Sequence, residues 1–246
     1  MIRILSLLAA ATLLSPMVSR AASSSGTEVV NVGDYNFTNW RSDDFKGSAQ
    51  REWDPAGGLY QFTWNTDAGD QIGRVGVTYG SPYLGSQIDQ MNGSCVMSAK
   101  ATFQPISSKW FLWSIYGWTN PVYTYWDNTP GGKGWSTEFY IVCYTDEPAS
   151  AFMTYDKKLV AIGSVEVGGE TYDCYHTPGD RPQWWAVNRA RTWTPSVNIK
   201  TIFDYWRSKG LANEAVVDLG WALEGFPGTG GKLRLTDVKI PHLGNH

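Results

Sequence analysis

From Val217 to Leu223 the apolar residues Val217, Leu219, Trp221 and Leu223 alternate with Asp218, Gly220, Ala222 and then Glu224. A period of two predicts a β-strand with one buried face. Its other face carries two small residues between two carboxylates, which leaves a trough open above the sheet with Glu224 at its end. A second strand of this character opens at Glu138 in TEFYIVCY: Glu138, Tyr140, Val142 and Tyr144 share one face, while Phe139, Ile141 and Cys143 point toward a core. Similar short runs recur at 35–40, 58–65, 95–103, 109–119, 158–167, 171–176, 183–189 and 232–240, separated by turn-rich stretches such as Asp54-Pro-Ala-Gly-Gly and Thr129-Pro-Gly-Gly. The pattern predicts an all-β fold, a sandwich of two twisted antiparallel sheets. One segment differs. In SVNIKTIFDYWRSKG, residues 196–210, Ile199, Ile202, Phe203 and Trp206 recur at helical spacing, with Ser196 or Asn198 as the cap and Gly210 as the stop. It predicts one α-helix packed on the outside of a sheet, its aromatic stripe serving as core.

The first 21 residues change the picture. Arg3, the apolar run from Ile4 to Leu14 and the small residues around Ser19 and Ala21 read as a secretory signal peptide cut after Ala21. The apolar run is too short to span a bilayer and no later stretch offers roughly 18 continuous apolar residues, so the expectation is a secreted, extracellular protein with no membrane partner. Without Arg3 and Arg20 the chain has 18 basic against 23 acidic residues, a charge of about −5, which argues against a nucleic-acid partner. No linker interrupts residues 22–246, which are expected to form a single domain. The 13 Trp and 13 Tyr could stack on sugars in a groove or fill a two-sheet core. Cys95, Cys143 and Cys174 suggest one disulfide and one free thiol in an oxidising compartment, with Cys143 and Cys174 as the expected pair because both sit mid-strand. Neither the cysteines nor His176, His242 and His246 have metal-ligand spacing, so no cofactor is expected. Asn36-Phe-Thr and Asn92-Gly-Ser are glycosylation sequons should the host use them.

Five motifs occur in an order that resembles the family 11 glycoside hydrolases. YNFTNW (35–40) is similar to the family's early aromatic strand, WNTDAGDQIG (64–73) to W-S-N-x-G-[ND]-x-V-G, and SIYGWT, ending at Thr119, to S-V-Y-G-W-T. EFYIV from Glu138 is similar to the nucleophile motif E-Y-Y-I-V, and LEGFPGTG from Leu223 to the acid/base motif x-E-G-Y-x-S-S-G. Trp206 stands 18 positions before Glu224, as the resemblance requires of the helix tryptophan. It implies a jelly-roll glycosidase domain, a secreted retaining endo-β-1,4-xylanase acting on plant cell-wall polysaccharide, and a monomer without a cofactor. Glu138 would be the nucleophile and Glu224 the acid/base. Trp40 would stack on a sugar, Asp70 would stand beside Glu224, Tyr116 and Tyr140 would bond Glu138, and Gln183 and Arg181 would contact substrate. Asp218, where the family carries a tyrosine, becomes a candidate for altered specificity.

The chain also departs from the family. The long hairpin that closes over the groove is reduced to HTPGDRP, and NPVYTYWDNTPGGKGWS is inserted before Glu138. LEGFPG is also close to T-E-P-F-T-G of the family 12 endoglucanases, so a β-glucanase or xyloglucanase remains open beside the xylanase, as does a non-catalytic sugar-binding relative. Retaining hydrolysis needs one ionised carboxylate and one protonated carboxyl about 5 to 5.5 Å apart. Phenolic hydrogen bonds would favour the charged form of Glu138, while burial and that negative charge would keep Glu224 protonated.

Overall fold

The computed structural model describes residues 21–78, 95–107, 110–120, 137–147, 159–179, 182–211 and 215–241. Among these lie fifteen strands and one helix. The strands are β1 (Ala22–Ser24), β2 (Val30–Val32), β3 (Tyr35–Arg41), β4 (Lys46–Trp53), β5 (Tyr60–Ala68), β6 (Gln71–Thr78), β7 (Val96–Ser107), β8 (Phe111–Asn120), β9 (Glu138–Thr145), β10 (Val160–Val167), β11 (Glu170–His176), β12 (Gln183–Asn188), β13 (Ser196–Asn198), β14 (Ala215–Gly225) and β15 (Thr229–Lys239). They form a six-stranded sheet in the order β1-β4-β5-β15-β7-β13 and a nine-stranded sheet in the order β10-β11-β12-β9-β8-β14-β6-β3-β2. The all-β sandwich read from the sequence is the fold observed.

Alternation decides what fills the space between the sheets. Leu219, Trp221 and Leu223 of β14 join Phe37, Trp113 and Ile115 from the larger sheet and Phe62, Trp64 and Leu233 from the smaller one in a single core. Trp113 stacks on Trp221 with ring centroids 5.0 Å apart. The opposite face of the larger sheet carries a second apolar cluster that includes Ile72, Leu112, Tyr116, Tyr140 and Ala222. In β14 the pairing with β8 shifts between Val216 and Asp218, a bulge that buries both Val216 and Val217. Beyond it Asp218 stands opposite Trp118 on the face turned away from the core.

The helix α1 (Ile199–Ser208) packs Ile199, Ile202, Phe203 and Trp206 into the main core. Phe203 meets Phe139 edge-on at 5.0 Å, so the helix braces the back of the strand that begins with Glu138. Asn198 occupies the cap position but its side chain makes no capping hydrogen bond, and Ser196 belongs to β13. The first turn is held instead by Ile199 N–H donating to Cys95 O at 3.0 Å.

Two expectations are corrected. The sheets are not wholly antiparallel, because β12 runs parallel to β9 with Gln183 opposite Glu138. The chain leaves β9, returns on the far edge at β10 and works back through β11 to β12, and that route reverses the polarity of the last pairing. Nor is there a disulfide: Cys95, Cys143 and Cys174 are all free and buried. Cys174 lies opposite Ala186, and Ala186 opposite Ile141, so β12 stands between the strands carrying Cys174 and Cys143. Two strand spacings are about 9.6 Å, beyond the ~7 Å between Cα atoms that a disulfide can bridge.

Candidate active site

The face of the larger sheet opposite the core opens into a cavity of about 540 Å³ that draws on β3, β6, β8, β9, β12 and β14. Every site residue nominated from the sequence lines it except Arg181, which lies outside the described residues, as do most of the inserted residues before Glu138. The volume lies within the range of roughly 300–1,000 Å³ typical of ligand pockets.

Glu138 begins β9 and receives three donors. Tyr116 Oη donates to Glu138 Oε1 at 2.8 Å and Tyr140 Oη to the same oxygen at 3.0 Å, while Gln183 Nε2 donates to Oε2. Each donor comes from a register position. Tyr116 pairs with Tyr140 across β8 and β9, and the parallel pairing of β12 sets Gln183 beside Glu138. Tyr140 stacks on Trp185 at 4.1 Å, and Trp118 Nε1 donates to Tyr116 Oη at 2.9 Å, so both phenols are held from behind. Burial first, and then the charges of Glu138 and Glu224, push both phenols well above their usual range and keep them neutral donors.

Glu224 closes the cleft-facing row of β14 and is only 8% exposed. Its pKa is raised well above the carboxylate range, chiefly by burial, then by the negative charges of Glu138 and Asp70, with hydrogen bonding to Tyr140 working the other way. Its Oε2 has no hydrogen-bond partner among the described residues. Asp70 lies just before β6; its backbone N–H donates to Ser42 Oγ at 2.8 Å, and burial followed by the charge of Asp44 raises its carboxyl. Trp40 pairs with Ile72, which pairs with Glu224, and it holds its ring 53% exposed at the edge of the cavity. One carboxylate ringed by donors and one buried carboxyl with a raised pKa, with Tyr140 touching both, form a pair that can divide nucleophilic and acid roles.

The trough is not open along its length. The strand pattern predicts space above Gly220 and Ala222, but the side chain of Arg74 lies over Gly220. A Cβ at Gly76 would stand 2.5 Å from the guanidinium carbon of Arg74, and one at Gly220 2.9 Å from its Nε, so glycine is required at both positions for the side chain to cross. Arg74 reaches over this floor to form an ion pair with Asp218. Sequence reasoning missed Arg74 because QIGRVGVT is buried along nearly all its length and shows no alternation; a lone arginine sharing a strand face with glycine was the available signal. Among the described residues, no three side chains of metal-ligating type cluster, and no helix is long and apolar enough to cross a membrane.

No family model matches the chain. Its sequence is 27% identical over 190 residues to endo-1,4-beta-xylanase 11B of Humicola insolens, covering 72% of this chain and 52% of that protein. It is 26% identical over 210 residues to endo-1,4-beta-xylanase A of Schizophyllum commune, covering 78% and 86% respectively. The chain therefore spans about half the length of the first relative and most of the second. Among solved structures, the family 11 xylanase from Neocallimastix patriciarum superposes with a TM-score of 0.66 at 14% identity, over 90% of this chain and 99% of that one. The sequence is thus similar to endo-1,4-beta-xylanases, and the fold is the jelly-roll sandwich seen in a family 11 xylanase.

Proposed function

We propose that the protein is a secreted retaining endo-β-1,4-xylanase that hydrolyses xylan by double displacement. The observation that carries this reading is the pairing of Glu138, an acceptor for three donors, with the buried Glu224, whose pKa burial raises, on the wall of one cavity. In the first step a Glu138 oxygen attacks the anomeric carbon while Glu224 gives its proton to the departing sugar oxygen, so the glycosidic bond breaks as an ester to Glu138 forms. Esterification removes the negative charge of Glu138, one of the causes that raise Glu224, and so favours the ionised Glu224 that the second step needs. Glu224 then takes a proton from water, whose oxygen attacks the anomeric carbon and releases Glu138. Acid/base assistance of this kind contributes about 10²–10⁴-fold. Tyr116, Tyr140 and Gln183 hold the nucleophile, and Trp40 offers a flat face to a sugar ring. Export would follow removal of residues 1–21, which leaves Ala22, the first residue of β1, at the new N-terminus.

The test is release of reducing sugar from xylan, β-glucan and xyloglucan by wild type, Glu138→Gln and Glu224→Gln. Wild type should cleave xylan best, and each variant should lose at least about a hundredfold. Cleavage of β-glucan or xyloglucan in preference would move the assignment to the family 12 type. Full activity in either variant would remove that glutamate from its role, and binding of xylan without cleavage would leave a carbohydrate-binding protein.

A further inference from the structure

Four side chains at the β3–β6–β14 side of the cavity close a ring of hydrogen bonds. Arg74 Nη1 donates to Asn36 Oδ1 at 3.0 Å, Asn36 Nδ2 to Thr78 Oγ1 at 3.3 Å, and Thr78 Oγ1 to Asp218 Oδ1 at 3.1 Å. The ion pair from Arg74 Nη2 to the same Asp218 oxygen completes it. Arg74 is also fixed by donation to Val77 O at 3.1 Å. The side chain of Arg74 is 5% exposed and that of Asp218 20%, so of the two it is the carboxylate that faces the cavity more openly. Both of its hydrogen bonds among the described residues fall on Oδ1, while a carboxylate has about four acceptor sites in all.

We infer that Asp218 is the hydroxyl acceptor of one sugar-binding position in the cleft, that Arg74 is its positioning residue, and that the position takes a neutral sugar and rejects an acidic one. This deepens the proposed reading of the cavity as a polysaccharide cleft and rests on it. The geometry argues for each part. A carboxylate clamped on one oxygen is pre-oriented and spends little rotamer entropy when sugar hydroxyls bond to the other. Arg74 cannot serve an incoming anion, because it is buried and its charge is already matched by Asp218. A uronic acid at this position would instead meet Asp218, the more exposed member of the ion pair, and like charges repel. The guanidinium lying on Gly76 and Gly220 also raises the floor, so a ring there is held by directional bonds and not by settling into a deep trough.

The test measures equilibrium binding by calorimetry in the Glu138→Gln background, so that hydrolysis plays no part. The probes are xylohexaose and an oligosaccharide of the same length carrying one glucuronic acid branch. Asp218→Asn should weaken xylohexaose by about ten- to a hundredfold, the worth of a hydrogen bond to a charged group. It should also narrow the gap between the neutral and the acidic probe, because the repelling charge of Asp218 is gone. Thr78→Val removes only an exposed clamp and should weaken xylohexaose by a few-fold while melting like the parent, which guards against misfolding caused by the buried arginine. Arg74→Lys keeps the charge but loses the fork, and should fall between the parent and Asp218→Asn. With Glu138 restored, the same substitutions should act on KM and leave kcat within about threefold. Unchanged xylohexaose affinity in both Asp218→Asn and Thr78→Val, tighter binding of the acidic probe by the unsubstituted background, or a loss confined to kcat would each overturn the inference. Binding that behaves as expected in a protein that cleaves no xylan would sink the hydrolase reading and leave this one standing.

Discussion

Glu224 shows how far one side chain's setting can fix its role. Burial, with Glu138 and Asp70 adding negative charge, makes the folded chain hold this proton more tightly than the unfolded chain does. Stability at the site is therefore present in acid and lost as pH rises from the ordinary carboxylate range through the raised pKa. We expect Glu224→Gln to melt at about the wild-type temperature near pH 4 and above it at about pH 7, by roughly 2–4 °C for each kcal/mol of relieved strain. Calorimetry at the two pH values decides it, and a gap that stays constant with pH would count against the burial account. The second cause is separable from the first. Glu138→Gln removes a neighbouring charge but no burial, so NMR titration should find the Glu224 pKa lower than in wild type and still above the usual range; no movement at all would mean that the two carboxyls do not feel each other. On the proposed reading of Glu224 as proton donor, we expect kcat/KM to fall on the alkaline side as Glu224 ionises, and a pH profile in which Glu224→Gln keeps that limb would count against the assignment. At this scale much was legible, since Glu138, Tyr140 and Glu224 sit in strands whose alternation is plain. Asp218 was legible as a residue but not in its bonding, because its partner Arg74 lies 144 positions away.

Strands were readable where one face is apolar and the other polar, and hidden where an inward position carries something else. In β4 that position is Arg51, 0% exposed, whose guanidinium donates to Phe37 O, to Glu28 O at 2.8 Å and to Gly26 O at 3.0 Å. It also forms an ion pair with the Glu28 carboxylate. Nothing in KGSAQREW announces an arginine facing the core, because its partners are backbone carbonyls supplied by residues 26–37. That cation ties the segment after β1 to the smaller sheet, and Arg41 helps by donating to Ala49 O at 3.1 Å. Arg51→Ala would leave several carbonyls without a donor and Glu28 without its counter-charge. The expected loss is about 1–3 kcal/mol for each carbonyl left buried without a donor, or on the order of 10 °C in melting temperature. Guanidinium denaturation measures it, and a loss below about 1 kcal/mol would show that solvent replaces the arginine without cost. β6 was hidden for a different reason: buried on both faces, it lacks a period of two.

At the scale of the whole molecule, motifs scattered from Trp40 to Glu224 meet because β3, β6, β14, β8, β9 and β12 are consecutive neighbours in one sheet. Their order along the chain could be matched to a family, but neighbourhood in space could not be read from local pattern, least of all the parallel pairing that delivers Gln183 to Glu138. That pairing also bears on the cysteines. A mid-strand position for both Cys143 and Cys174 made a disulfide look natural, yet inserting β12 between their strands separates them. Burial pushes both thiols up, Cys174 to about 12, so neither is poised as a thiolate for exchange. Stability must then come from the two-sheet core and not from a cross-link. The melting temperature should be the same within about 1 °C with and without dithiothreitol, and an aromatic disulfide reagent should find no reactive thiol in the native protein and three in guanidinium. A reductant-sensitive melt, or one thiol instead of three after unfolding, would require Cys143 and Cys174 to come within bonding reach, and with that the β11-β12-β9 order itself would have to give way.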